Sequence, residues 1–144
     1  MTNQIFWNEC EKSSKDIAYL FSGLFSGLVV HGRKIGRELG FPTANLKVIN
    51  EEYVSLTKGV YAVKVFYKRH EYLGVMNVGT RPSFDENTEN IYYEVHILNF
   101  NKPIYNEILN VKVLGLVREE KRFSSKKDLI SQIQRDIKKV YKYL

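Results

Sequence analysis

The sequence predicts a mainly β domain, an antiparallel barrel or sandwich, that ends in an α-helix. Three observations carry this expectation. Runs rich in Val, Ile and Tyr recur through residues 24–118, and Gly, Asn or Asp separates most of them. No clear helical period lies between those runs. From Ser124 onward the apolar residues switch to helical spacing. The chain has 144 residues, 44% of them hydrophobic. That suits one domain with a single core and excludes a disordered tail protein.

The elements follow in order. Residues 13–24, SSKDIAYLFSGL, read as a helix: Ser13 and Asp16 have capping-box spacing, and Ile17, Leu20, Phe21 and Leu24 share a face. This outlines a short N-terminal helical arm over 1–23 and a main domain over 24–144. Strands are expected at 27–31 (GLVVH), 59–67 (GVYAVKVFY), 72–78 (YLGVMNV), 90–98 (NIYYEVHIL) and 108–117 (ILNVKVLGLV). In the last segment Ser125 can cap a helix, with Asp128 three residues on. Leu129, Ile130, Ile133, Ile137, Val140 and Leu144 then mark an apolar stripe to pack on the sheet. Lys138, Lys139 and Lys142 fall in its last turns, where the helix dipole favours cations.

The net charge is +6, and its position matters more than its size. Residues 118–144 hold nine Lys and Arg against four Asp and Glu, so most of the excess belongs to the terminal helix. A solvated helix face accounts for it, and the nearly neutral body argues against a nucleic-acid partner. The single cysteine, Cys10, excludes an internal disulfide framework and a multi-cysteine zinc site. No run approaches the ~20 apolar residues of a membrane span. The first residues lack the basic start and apolar stretch of a signal peptide. A cytoplasmic monomer with no membrane partner is the expectation.

Chemistry concentrates in two places. Gly32, Gly36 and Gly40 are spaced by four, with Arg33, Lys34 and Arg37 between them. Glycines allow close backbone approach to an anion and the basic side chains add charge, so a phosphate flap fits; so does an ordinary surface loop. Neither standard nucleotide motif is present. The stretch ends in Phe41-Pro42-Thr43-Ala44-Asn45. Pro42 stiffens it, and Thr43 and Asn45 point the same way on an extended chain. Their oxygens are hard ligands suited to Mg²⁺ on nucleotide phosphates; the alternative is a turn in which both bond their own backbone. The second place is the strand at 90–98. Alternation puts Ile91, Tyr93, Val95 and Ile97 on one face and Tyr92, Glu94, His96 and Leu98 on the other. Glu94 is either a partly buried general base or a solvated edge-strand carboxylate. His31, His70 and His96 lack i, i+4 ligand spacing and read as structural. Segments 77–84 and 118–123 could rim a pocket, with Arg81 or Arg118 meeting an anion or a planar ring.

Taken in order, five blocks resemble the riboflavin kinase (flavokinase) family. They are GLVVHGRKIGRELGFPTAN (Gly27–Asn45), GVYAV (Gly59–Val63), GVMNVGTRPSF (Gly74–Phe84), EVHIL (Glu94–Leu98) and VREEKRF (Val117–Phe123), followed by a terminal helix. Two departures stand out: Pro103-Ile104-Tyr105-Asn106 replaces a common Asp-Leu-Tyr-Gly turn, and Ser83 replaces a common Thr. Asn106 tolerates the left-handed conformation such a turn needs.

The resemblance implies a six-stranded antiparallel Greek-key barrel with the helix packed outside. It implies transfer of the γ-phosphate of ATP to the 5′-hydroxyl of riboflavin, giving FMN and ADP. Thr43 and Asn45 would bind Mg²⁺ and nucleotide phosphate. Gly32, Arg33, Lys34, Gly36, Arg37 and Gly40 would form the nucleotide flap, and Glu94 would be the base. Asn77, Gly79, Arg81, Arg118 and Phe123 would belong to loops closing over the flavin. The chain resembles the kinase half of a bifunctional enzyme without its adenylyltransferase half, so FMN but no FAD is the expected product. The contrasting readings are a basic barrel for single-stranded nucleic acid and a silent flavin-binding regulator.

Overall fold

The computed structural model describes residues 24–32, 35–49, 56–82 and 89–144. The expected N-terminal arm, Arg33, Lys34, Ser83 and Phe84 lie outside the described residues. Six strands and two helices make up the rest: β1 (Phe25–Val30), α1 (Ile35–Glu38), β2 (Ala44–Val48), β3 (Gly59–Tyr67), β4 (His70–Pro82), β5 (Glu89–Ile97), β6 (Ile108–Arg118) and α2 (Lys126–Tyr141). The strands pair antiparallel in the order β1-β2-β5-β4-β3-β6 and close into a barrel. The step from β2 to β5 gives the Greek-key connection.

Alternation decides which side chains fill the barrel. Phe25 and Val29 of β1, Leu46 and Val48 of β2, Tyr93, Val95 and Ile97 of β5, and Leu109, Val111 and Val113 of β6 all point inward and are buried. In β3 the inward residues are Tyr61, Val63 and Val65. Its outward Ala62 is buried as well, because α2 lies across that face. Burial on both sides explains why GVYAVKVFY reads as a nearly continuous apolar run. β2 was the strand without a strong local signal: it is short, and only Leu46 and Val48 of its residues are buried.

Helix α2 starts where the sequence expects it. Ser125 takes extended backbone, and its side chain accepts the Asp128 N–H at 3.1 Å. Val140 is fully buried with Ala62 and Leu98, flanked by Leu73, Val75, Leu114, Val117 and Ile137. Burying one such valine contributes about 1.5–3 kcal/mol. The stripe differs from the expected one, however. The most buried row is Gln132, Asp136 and Val140, and Leu144 lies beyond the helix, 90% exposed.

Two polar residues take that row because of a partner on the barrel. Arg118 Nε donates to both carboxylate oxygens of Asp136, each at 3.0 Å. Gln132 Nε2 donates to the same carboxylate at 2.9 Å, and Arg135 in turn bonds Gln132 Oε1. Asp136 is only 1% exposed, so the pairing is what makes its burial tolerable.

Candidate active site

Register assembles the first part of the site. Glu94 sits directly opposite Asn45 on one side and Asn77 on the other. Cβ atoms of such pairs lie about 4.5–5.5 Å apart. Their chain neighbours Leu46, Tyr93, Val95, Met76 and Val78 all point into the barrel, so Asn45, Glu94 and Asn77 all point out. One carboxylate is thereby flanked by two carboxamides on the outer wall. The row continues through Val60, opposite Asn77, to Arg118, opposite Val60. It runs across the outer wall from β2 to β6, where Arg118 meets α2. Glu94, Asn45 and Asn77 are all partly buried.

The segment that delivers Thr43 and Asn45 is held by its own hydrogen bonds. The Leu39 and Phe41 N–H groups donate to Gly36 O at 3.1 and 2.7 Å, and the Gly40 N–H donates to Arg37 O. Gly40 closes the turn at φ +88, a conformation that suits glycine. The 35–40 part of the expected flap is therefore a closed helical turn, with two of its amides and that of Phe41 committed to it. Gly32 does a different job. A Cβ there would fall 1.9 Å from the Asn45 carboxamide nitrogen, so its bare backbone leaves room for that side chain.

The second part is a cavity of about 430 Å³ beside Thr43. Arg37, Pro42, Thr43 and Ala44 line one side, Phe100, Asn101, Lys102, Pro103, Ile104 and Tyr105 the other, with Val29, Val95 and Ile97 at its base. Two cations and no acid line it, so it favours an anion. Phe100 is braced edge-on by Tyr67 and Tyr72, and Tyr105 stacks on His31 at 4.0 Å. Asn106, at φ +65, turns the chain back toward β6.

The 100–105 wall is what sequence reasoning missed. It saw a turn there and no site. The available signal was a lysine and two aromatics set in a polar loop directly after the strand of Glu94.

The remaining expected residues fall on the far side of the row. Gly79 lies opposite Tyr92, and a Cβ on Gly79 would fall 2.3 Å from the Tyr92 hydroxyl, so that ring lies across it. Arg81 pairs through its backbone with Asn90. Arg118 holds Asp136 and the Glu119 carbonyl, with its guanidinium 5.6 Å from the Phe123 ring centroid. That cation is thus spent on fixing the loop and the helix, and Phe123 is the ring it covers.

The donor chemistry of Thr43 and Asn45 is compatible with a divalent cation. Among the described residues no group of three or more His, Cys, Asp or Glu could hold a metal. The neutral oxygens of Thr43 and Asn45 suit a hard cation whose negative ligands come from phosphate.

A family model for riboflavin kinase (flavokinase) matches residues 21–144. The chain belongs to the riboflavin kinase family. Among curated proteins, the bifunctional riboflavin kinase/FMN adenylyltransferase of Buchnera aphidicola subsp. Schizaphis graminum is 41% identical over 138 residues, covering 94% of this chain and 43% of that protein. The protein of the same name from Haemophilus influenzae is 41% identical over 112 residues, 77% of this chain and 35% of that one. The chain therefore spans well under half of these two relatives. Riboflavin kinase from Trypanosoma brucei superposes with a TM-score of 0.58 at 24% identity, over 83% of this chain and 77% of that one, a likeness of fold. A Streptococcus pneumoniae structure named as a macrolide-efflux protein superposes with a TM-score of 0.76 at 31% identity, over 88% of this chain and 45% of that one. Among the described residues of this riboflavin kinase family member, no helix is long and apolar enough to cross a membrane.

Proposed function

We propose that the chain transfers the γ-phosphate of ATP to the 5′-hydroxyl of riboflavin, giving FMN and ADP. The observation that carries this reading is the outward row Asn45, Glu94 and Asn77, joined through Thr43 to a cationic cavity. Phosphoryl transfer needs charge neutralisation, in-line positioning and a proton acceptor more than covalent catalysis. The row and the cavity supply groups for all three.

ATP occupies the cavity, with its phosphates toward Thr43, Arg37 and Lys102. Thr43 and Asn45 would hold Mg²⁺, which would supply positive charge against the phosphates. The ribityl chain lies along the outer wall, with its 5′-hydroxyl at Glu94. Glu94 takes the hydroxyl proton as the oxygen attacks the γ-phosphorus, and the bond to the ADP oxygen breaks. The carboxamides of Asn45 and Asn77 flank Glu94 and set its orientation. Asn77, Gly79 and Phe123 face the flavin side, with Arg81 further along β4, and the Arg118 to Asp136 pair fixes the loop that carries Phe123.

Incubating the protein with riboflavin, ATP and Mg²⁺ tests the reaction. FMN and ADP should form in equal amounts. A folded sample that gives neither product across nucleotides and divalent cations would refute it.

A further inference from the structure

Ala44 and Val95 are the terminal pair of the β2–β5 ladder. Pro42 lies just before that point and has no N–H to give to a ladder. Its carbonyl is nonetheless bonded: the Nδ1 of His96 lies 2.7 Å from it. The His96 ring also meets the edge of Phe41, with centroids 5.7 Å apart and planes at 86°. One side chain thus grips both residues that precede Thr43. His96 stands two residues after Glu94 on the same outward face of β5. A single strand therefore carries the proposed base and the anchor of the segment that presents Thr43.

From this we infer that His96 is a positioning residue, which fixes Thr43 relative to Glu94 by donating from Nδ1 to the Pro42 carbonyl. The inference rests on the roles proposed above for Thr43 and Glu94. His96 itself touches neither substrate. A carbonyl only accepts, so Nδ1 carries the hydrogen and the neutral ring keeps its lone pair on Nε2. The anchor matters because a displacement of about 1 Å between reacting groups can cost roughly 10²-fold in rate.

Two substitutions separate this role from simple packing. In His96→Asn the amide can donate from where Nδ1 stood, whereas in His96→Gln it reaches toward the Nε2 position. The full chain would be assayed with riboflavin and Mg·ATP, alongside thermal unfolding and calorimetry of ADP binding with and without Mg²⁺. His96→Gln should lower kcat about tenfold or more and raise KM for Mg·ATP, leaving KM for riboflavin near its original value. His96→Asn should recover most of that loss. Equal behaviour of the two variants, or a loss that tracks unfolding temperature alone, overturns the inference.

A wild-type protein that makes no FMN defeats the proposed reaction instead. The anchor is then judged on the Mg²⁺-dependent part of ADP affinity, kept in His96→Asn and lost in His96→Gln. An affinity equal in the two variants counts against it. A readout that needs no variant is the long-range ¹H–¹⁵N NMR spectrum of the neutral imidazole. It should show His96 protonated at Nδ1, and an Nε2–H tautomer contradicts the anchor.

Discussion

A methyl group on Gly32 would stand 1.9 Å from the Asn45 carboxamide nitrogen, so the two residues share one space. Gly32→Ala should push Asn45 aside and raise KM for Mg·ATP about tenfold or more, with little change in unfolding temperature. Normal kinetics in that variant would show that Asn45 has no metal or phosphate to meet. Thr43→Ala removes the neighbouring oxygen. Its FMN formation should need markedly more Mg²⁺, and EDTA should abolish turnover in either protein until metal is restored. An unaltered Mg²⁺ dependence in Thr43→Ala would remove it as a ligand. These residues were legible as types. Gly32 read as space for an anion, and the structure fills that space with Asn45, a neighbour that only the β1–β2 pairing, Val30 opposite Asn45, brings close.

At the scale of elements, α2 is latched to the barrel through Asp136. Asp136→Ala would leave Arg118 without its partner and should cost about 3–5 kcal/mol, read as a large fall in denaturation midpoint. Ser125→Ala removes one cap hydrogen bond and should cost only about 1 kcal/mol. Similar costs for the two would mean that the buried pair contributes little. The helix itself was plain in the sequence, because its cap and period are local. Its most buried row was not, because Asp136 is explained by Arg118, 18 residues away on β6. β2 escaped for a similar reason: five residues with two buried ones carry little period, and its place between β1 and β5 is set by partners. The β5–β6 loop became a cavity wall only once barrel closure set it against Thr43.

For the whole molecule, the barrel and its terminal helix follow from runs of β-favouring residues and one change of period. The strand order does not, since it depends on which distant runs pair. The net charge of +6 finds its place in the structure. Lys126, Lys127, Lys138, Lys139 and Lys142 are all exposed on or beside α2, while the cations that line the cavity are Arg37 and Lys102. An arbitrary single-stranded oligonucleotide should therefore bind no tighter than about 10⁻⁶ M at physiological salt. Tighter, sequence-dependent binding in a filter or anisotropy assay would favour a nucleic-acid role.

The central claim is that phosphoryl transfer happens on the outer wall, at Glu94 between Asn45 and Asn77. Single-turnover FMN formation by wild type and Glu94→Gln tests it most directly, with riboflavin and Mg·ADP affinities measured on the same samples. The rate should fall about 10²- to 10⁴-fold while both affinities stay close to wild type. A variant that binds both ligands and forms FMN at the wild-type rate would contradict the claim.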